Sequence, residues 1–492
     1  MNILGISAGF HDASAAVVNT EGDILFAGHS ERYSKVKNDP TLHPDLLAEL
    51  CEWQYDTVAF YERPWLHNLQ QLYTGQKQFG PWTTQGAIRR HLGSWYKNPA
   101  KFEHSYPHHL SHAAAGFQTS PFRSATVVVV DAIGEFDTVT IWGAEYNNGR
   151  AQYKKLWGQR YPHSIGLFYT AMTQRVGLKP MEEEYILMGM AAYGRDLSSV
   201  LINHNLVADH DEIEFKQNLH LGVDADFLKD IDDMDIAAGT QAVAQDLIYS
   251  VMRRARDFRW SPNLVYQGGV ALNCLASQHL GQFFDKIWIM PNPGDGGSSL
   301  GAAALAMGGP INFSNAYLGH DIPGEYPVNA ILDHLLTSRI VGVASGRAEF
   351  GPRALGNRSL LADPRGLDIK DLVNEIKRRQ RFRPFAPVIL AEQADAIFDM
   401  PRGWHTNDYM QSVAYCKRPD LYPAICHYDG TSRVQTVPAN GSGIRQLLEK
   451  WYVLTGCPML LNTSLNIRGE PMVNDRADAD RFEQLYGVPV CS

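Results

Sequence analysis

"SATVVVVDAIGEFDTVTIWGAEYNNGRAQYKKLW", residues 124–157, holds two apolar runs rich in β-branched residues and a third, more polar run. An Asp- and Gly-bearing loop, "AIGEFD", separates the first two, and the turn "NNG" separates the second and third. That pattern predicts three strands joined by tight turns. The first thirty residues repeat the plan: "NILGIS", the loop "AGFHDA", "SAAVVNT", the turn "EGD" and "ILFAGHS". The chain therefore carries a weak internal duplication.

Two further units follow the second copy. "NLVYQGGVALN" (263–273) and "KIWIMPNPGDGGSSLGAAALA" (286–306) each read as an apolar strand, a Gly-rich loop and a helix of small residues. Such loops bring backbone N–H groups to phosphate oxygens at a helix start. Four such loops in a duplicated α/β frame resemble the nucleotide cleft of the actin/sugar-kinase superfamily. Residues 308–338 read as a connector with a helix at its end. A new α/β unit opens at "RIVGVASG", with strands "APVIL", "SVAYC" and "PMLLN" and helices "IRQLLEKWYVL" and "ADADRFEQLYG". The expected division is 1–335 and 336–492.

At 492 residues the chain exceeds one ordinary core. A net charge of −9 with 45% hydrophobic and 20% charged residues predicts a globular protein without an extended nucleic-acid surface. No basic leader and no long uncharged apolar stretch is present, so a cytoplasmic location and no membrane contact are expected. Six cysteines without a CxxC suit a reducing compartment.

"HHLSHA" (108–113) places His108 and His112 four apart, on one face of a helix. Asp295, in "PGDGG", adds a carboxylate exposed by glycines. Two imidazoles and one carboxylate leave positions open for water or substrate and suit Fe(II), with zinc as the alternative. His109 could replace His108, although the spacing favours His108. His11 and Asp12, at the tip of the first hairpin, read either as a turn or as a general base facing the cleft.

"KRRQRFRP" concentrates Lys377, Arg378, Arg379, Arg381 and Arg383. "GRAEFGPRALGNRS" adds Arg347, Arg353 and Arg358 along a Gly/Pro-constrained loop. Guanidinium forks bind phosphate bidentately, so these cations point to a small anionic ligand rather than to a solvated helix end or a nucleic acid.

The strings "GFHDASAAVV", "SERYSKVK", "HHLSHAAAGF", "LMGMAAYG", "GGVALNC", "PGDGGSSLGAA", "GRAEFGPRALGNRSLLADPR", "FRPFAPVIL" and "LLNTSLNIRGEPMV" resemble the O-carbamoyltransferases of nodulation-factor and antibiotic biosynthesis, the NodU/CmcH type, over nearly the whole chain. The resemblance implies an N-terminal domain like the threonylcarbamoyl-transferase of tRNA modification and a C-terminal YrdC-like domain. It implies that carbamoyl phosphate and ATP, with Mg2+, give carbamoyl adenylate and pyrophosphate. The carbamoyl group then passes to an acceptor hydroxyl.

On that basis His108, His112 and Asp295 hold iron, while Asp131, Gly134, Gly268, Gly269 and Asn273 line the nucleotide. His11 stands on the acceptor side. Arg353, Lys377, Arg383 and Arg433 hold carbamoyl phosphate and the nucleotide phosphates, with Asn462 and Arg468 in the same cleft. Arg353, Lys377 and His11 are the expected catalytic residues. Two departures stand out: Ile186 occupies a lysine position of the family, and Gln380 replaces a glutamate. The expected partner is a small-molecule acceptor with a hydroxyl group, and the chain is compatible with a homodimer.

Three rivals remain from the sequence. A sugar or acid kinase shares the duplicated frame but needs neither the HxxxH pair nor the second cationic unit. A tRNA threonylcarbamoyl-transfer enzyme would want a basic surface that a charge of −9 does not supply. A non-catalytic nucleotide-binding regulator has only Ile186 in its favour.

Overall fold

The computed structural model describes residues 1–492 apart from 77–78, 97–99, 197, 225, 367, 381, 384 and 405. The two sequence copies become two five-stranded sheets of one design. In the first, β1 (Asn2–Ser7), β2 (Ser14–Asn19), β3 (Ile24–His29), β4 (Thr57–Phe60) and β5 (Phe102–Ser105) take the order β3-β2-β1-β4-β5. In the second, β6 (Ser124–Gly134), β7 (Asp137–Asn147), β8 (Arg150–Arg160), β9 (Asn263–Gln267) and β10 (Lys286–Trp288) take the order β8-β7-β6-β9-β10. Both begin as an antiparallel meander. Both then add two strands parallel to the first. The duplication is thus a property of the fold. A hairpin needs only a tight turn, whereas the parallel strands need long crossovers.

Helices α1 (Pro64–Thr74), α2 (His108–Thr119), α3 (Asp233–Asp257) and α4 (Ser298–Met307) flank these sheets. Eleven of the twelve residues of α2 are buried, as befits a helix enclosed by other elements. α4 lies directly against it. A Cβ at Gly301 would fall 1.9 Å from the Ser111 carbonyl oxygen, so only glycine allows this approach.

The C-terminal unit is a six-stranded mixed sheet. Its strands run in the order Gln435–Val437, Ala386–Leu390, Met459–Ser464, Arg358–Ala362, Ile340–Ala344 and Val490–Cys491. The expected connector is more structured than its sequence suggested. Tyr317–Ile322 is a strand that pairs antiparallel with Gly346–Glu349. Ile322 and residues of helix Val328–Ser338 join the C-terminal hydrophobic core, upstream of the expected boundary at 335/336. The units are tied together by hydrogen bonds. Arg32 donates to the Gly351 carbonyl at 2.9 Å, Tyr193 to Phe382 O at 2.8 Å and Trp404 to Ser277 O at 3.1 Å. Among the described residues, no helix is long and apolar enough to cross a membrane.

Candidate metal centre and anion cavity

The valine run of β6 ends at Asp131, α2 starts at His108, and the loop before α4 carries Asp295; all three ends meet. One ligand atom each from His108, His112, Asp131 and Asp295 lies within 4.8 Å of the others, and all four residues are buried. His112 Nε2 is 3.1 Å from His108 Nε2, 3.1 Å from Asp295 Oδ1 and 3.1 Å from Asp131 Oδ2. His108 Nε2 lies 3.2 Å from Asp295 Oδ1 and 3.5 Å from Asp131 Oδ2. Asp131, expected beside the nucleotide, therefore belongs to the donor set. The signal available in the sequence was an Asp closing an apolar strand at the cleft.

The donors fit a divalent metal. The Pro293 carbonyl sits 3.1 Å from His112 Nδ1, which places the proton there and leaves the Nε2 lone pair facing inward. Two lone pairs and two carboxylates at this separation repel unless a cation or protons stand between them. With no cation, burial opposes every charge, yet the carboxylates raise both histidines. The histidines in turn hold Asp131 and Asp295 well below the usual carboxylate range.

His109 points elsewhere. Its Nδ1 meets Thr140 Oγ1 at 2.9 Å, and burial followed by the charge of His108 keeps it neutral. The sequence ambiguity thus resolves to His108. Gly134 lines no nucleotide space; it packs under the histidines, where a Cβ would lie 2.6 Å from His108 Cδ2.

His11 is at the hairpin tip, as expected. Its Nε2 lies 3.6 Å from Asp295 Oδ2 and its Nδ1 3.0 Å from Asp12 Oδ2. Burial disfavours its charge, but Asp295 and Asp12 outweigh that and raise it to about 9. A divalent cation on Asp295 would cancel much of that pull.

A cavity of about 820 Å³ opens from this centre toward the C-terminal unit. Its N-terminal wall includes His11, Asp131, Gly269 and Asn273; its C-terminal wall includes Arg353, Lys377, Arg379, Arg383, Arg433, Asn462 and Arg468. Gly269 N–H donates to Asp131 Oδ1 at 3.3 Å. Gly268 sits behind it at φ 91°, with a Cβ position 2.1 Å from Val130 O; it shapes the turn rather than lining the cavity.

Among the described residues, Arg353, Lys377, Arg383 and Arg433 carry the cost of burial with no carboxylate within ion-pair distance. Burial, then Arg433, brings Arg353 down to about 9. Burial, then Arg379 and Arg383, holds Lys377 well below the usual ammonium range. Lys377 Nζ donates to Ser464 O at 2.6 Å and to Asn466 Oδ1. Among the described residues, Arg433 Nε and Asn462 Oδ1 are buried without hydrogen-bond partners. The sequence reading missed Tyr185, whose ring lies 4.9 Å from the Arg383 guanidinium carbon.

Two expected anion ligands are corrected. Arg347 is spent on backbone carbonyls, donating to Leu25 O at 2.8 Å, Gly319 O at 3.3 Å and Leu318 O. Arg358 is fully buried and donates to the carbonyls of Asn474, Ser345, Asn357 and His320. Both hold strands together. Arg381 lies outside the described residues. Ile186, at 3% exposure, packs into the second-sheet core with an edge on the cavity.

Comparison with known proteins gives the family. The family description "Carbamoyltransferase N-terminus" matches residues 92–304 and "Carbamoyltransferase C-terminus" matches 332–488. The protein named "Uncharacterized protein sll1178" of Synechocystis sp. is 31% identical across 98% of this chain and 94% of its own length. Nodulation protein NolO of Bradyrhizobium diazoefficiens is 31% identical across 76% of this chain and 75% of its own. Among solved structures, the activator of the 2-hydroxyisocaproyl-CoA dehydratase from Clostridium difficile covers 62% of this chain and 94% of its own at 14% identity, with a TM-score of 0.35. The duplicated fold rests on the strand order rather than on that likeness. With both halves of the family description matched in order along one chain, this protein is an enzyme of the carbamoyltransferase family.

Proposed function

We propose that the protein is an ATP-dependent O-carbamoyltransferase that forms carbamoyl adenylate and passes the carbamoyl group to a hydroxyl of a small-molecule acceptor. One observation carries the reading: a single cavity joins a buried cationic wall to the His/Asp centre. Two polyanions must meet in the first step, and the wall supplies the charge to bring them together.

Mass balance sets that step. The phosphate of carbamoyl phosphate leaves as inorganic phosphate with addition of water, giving carbamate. A carbamate oxygen attacks the α-phosphorus of ATP, which would arrive with Mg2+; the α–β bond breaks and pyrophosphate leaves. Arg353, Lys377, Arg383 and Arg433 neutralise charge that grows on the leaving oxygens. A YrdC-like reading of the C-terminal unit belongs with this assignment.

In the second step the acceptor oxygen attacks the carbamoyl carbon, the bond to the adenylate oxygen breaks and AMP leaves. His11 receives the hydroxyl proton at Nε2, with Asp12 orienting the ring at Nδ1. A metal held by His108, His112, Asp131 and Asp295 would supply Lewis acidity at a phosphate oxygen, Fe(II) suiting the mixed donors and zinc being the alternative. One cavity serves both steps, so the labile adenylate need not leave the protein between them.

Pyrophosphate release tests the reading: it should require both ATP and carbamoyl phosphate, and its absence with both present would overturn it. Arg353→Ala removes charge-assisted contacts and should lower release by about 100-fold or more. Asp295→Ala should retain release and lose transfer to acceptor. If folded Asp295→Ala stops release as completely as Arg353→Ala, the division of labour is wrong.

A further inference from the structure

Helix α1 is inside out. Asn68 is wholly buried, as are Gln70 and Gln71, while Trp65, Leu69, Leu72 and Tyr73 are exposed, Tyr73 to 70%. The exposed residues fall at i, i+4, i+7 and i+8 and form one stripe, the stripe that a surface helix ordinarily turns to the core. Its presentation is built in. The Asn68 amide donates to Gly80 O at 3.1 Å and Pro81 O at 3.2 Å, and Gly80 N–H donates to Asn68 Oδ1 at 2.9 Å. These bonds hold Gly80 and Pro81 to the helix, and exposed Phe79 and Trp82 flank them in the chain.

The stretch of chain that carries this surface differs in charge from the rest. Residues 63–102 contain no Asp or Glu, although the protein carries a net charge of −9. Arg89 and Arg90 in this segment are exposed, and the Arg90 guanidinium lies beside Gly80, 3.6 Å from where a Cβ would stand.

The surface also borders the metal centre. Arg63, at the start of α1, grips Glu135 at 2.9 Å, and the Tyr73 ring lies 5.9 Å from Phe136. Glu62, one residue earlier, is 3.8 Å from His108 Nδ1.

We propose that this face docks on an anionic lipid surface, with Trp65, Leu69, Leu72, Tyr73, Phe79 and Trp82 in the interfacial layer and the cations on the headgroups. Tryptophan and tyrosine favour that layer. An apolar helix face edged by arginine binds there in proportion to buried apolar area and headgroup charge. The stripe projects from the surface, and none of its residues lines the cavity, whereas small ligands take concave sites. A net charge of −9 supplies no extended basic surface, which disfavours nucleic acid.

Vesicle binding of the full chain, measured without substrates, tests docking separately from the chemistry. The protein should sediment with phosphatidylcholine vesicles containing phosphatidylserine, far less with phosphatidylcholine alone, and be released by salt, with a blue-shifted tryptophan emission when bound. Trp65→Ser/Leu69→Ser should lower partitioning about tenfold or more, and Arg90→Glu should remove the phosphatidylserine dependence. Both should leave pyrophosphate release unchanged in solution. Tyr73→Ser serves as a second apolar variant should the first misfold. The proposal is overturned by wild-type protein that ignores phosphatidylserine vesicles, or by folded variants that bind as well as wild type. It is also overturned if the same residues prove to be the contact of a solution dimer or of single-stranded RNA.

Discussion

The His/Asp centre and the C-terminal cationic wall are opposite solutions to one problem. In the centre, two buried carboxylates face two imidazoles; the charge missing from it is positive and compact. In the wall, six basic side chains (Arg353, Lys377, Arg379, Arg383, Arg433 and Arg468) share one side of a cavity, and Arg353 is depressed to about 9 by burial and by its neighbour Arg433; the charge missing there is negative and extended. Neither region is electrically complete within the fold. The comparison teaches that each ligand's charge can be read from the imbalance left for it, and that the two imbalances lie on different units of the chain.

Breaking the first half of the comparison should give the largest effect. His112→Ala removes the donor whose Nε2 touches both carboxylates, and metal content should fall from about one ion per chain to background. His104→Ala, outside the cluster, should keep it. Elemental analysis of anaerobically purified protein decides; full occupancy in folded His112→Ala would exclude this centre.

Adding charge between the halves comes next. Ile186, read from the sequence resemblance as standing at a lysine position, packs among apolar residues of the second-sheet core. Ile186→Lys would bury an ammonium without a partner, beside a wall already too positive. Stability should drop by about 3 kcal/mol or more in urea unfolding, with no gain in nucleotide affinity. A variant as stable as the parent with tightened nucleotide binding would show that the side chain turns into the cavity.

The smallest effect sharpens the boundary between the halves. His29 meets Asn292 at 2.8 Å, its ring centroid lies 5.1 Å from Phe350, and burial, then Arg32, lowers it to about 4. Its folded value is below its free value, so the unfolded chain binds more protons between about pH 4 and 6.5. Acidification through that window therefore removes stability, with an upper bound of about 3 kcal/mol. Unfolding midpoints at pH 7 and pH 5, on metal-stripped protein, should converge in His29→Gln; an unchanged pH dependence would acquit this histidine.

What the sequence made legible follows the range of the interaction. β1 to β3 and β6 to β8 are hairpin neighbours, and their alternation and turns lie within a few residues of each other. β4 and β5 escaped because four-residue strands such as "TVAF" gain their identity from parallel partners far along the chain. The HxxxH pair was readable because a helix converts spacing into geometry, whereas Asp131 needed the third dimension. Arg347 and Arg358 misled for the same reason. Their partners are backbone carbonyls, some more than a hundred residues away, and no pattern of side chains announces them. The inverted face of α1 was equally silent, since periodicity does not say which side of a helix faces in.

Asp131 divides its two oxygens between neighbours: Oδ2 faces His112 at 3.1 Å, and Oδ1 accepts from the N–H of Gly269 at 3.3 Å on the turn that edges the cavity. One rigid carboxylate thereby becomes a lever with an arm in each compartment. Thermodynamic reciprocity then binds the two events: whatever factor an occupant of the Gly269 turn adds to the grip on the ion, the ion must return to that occupant.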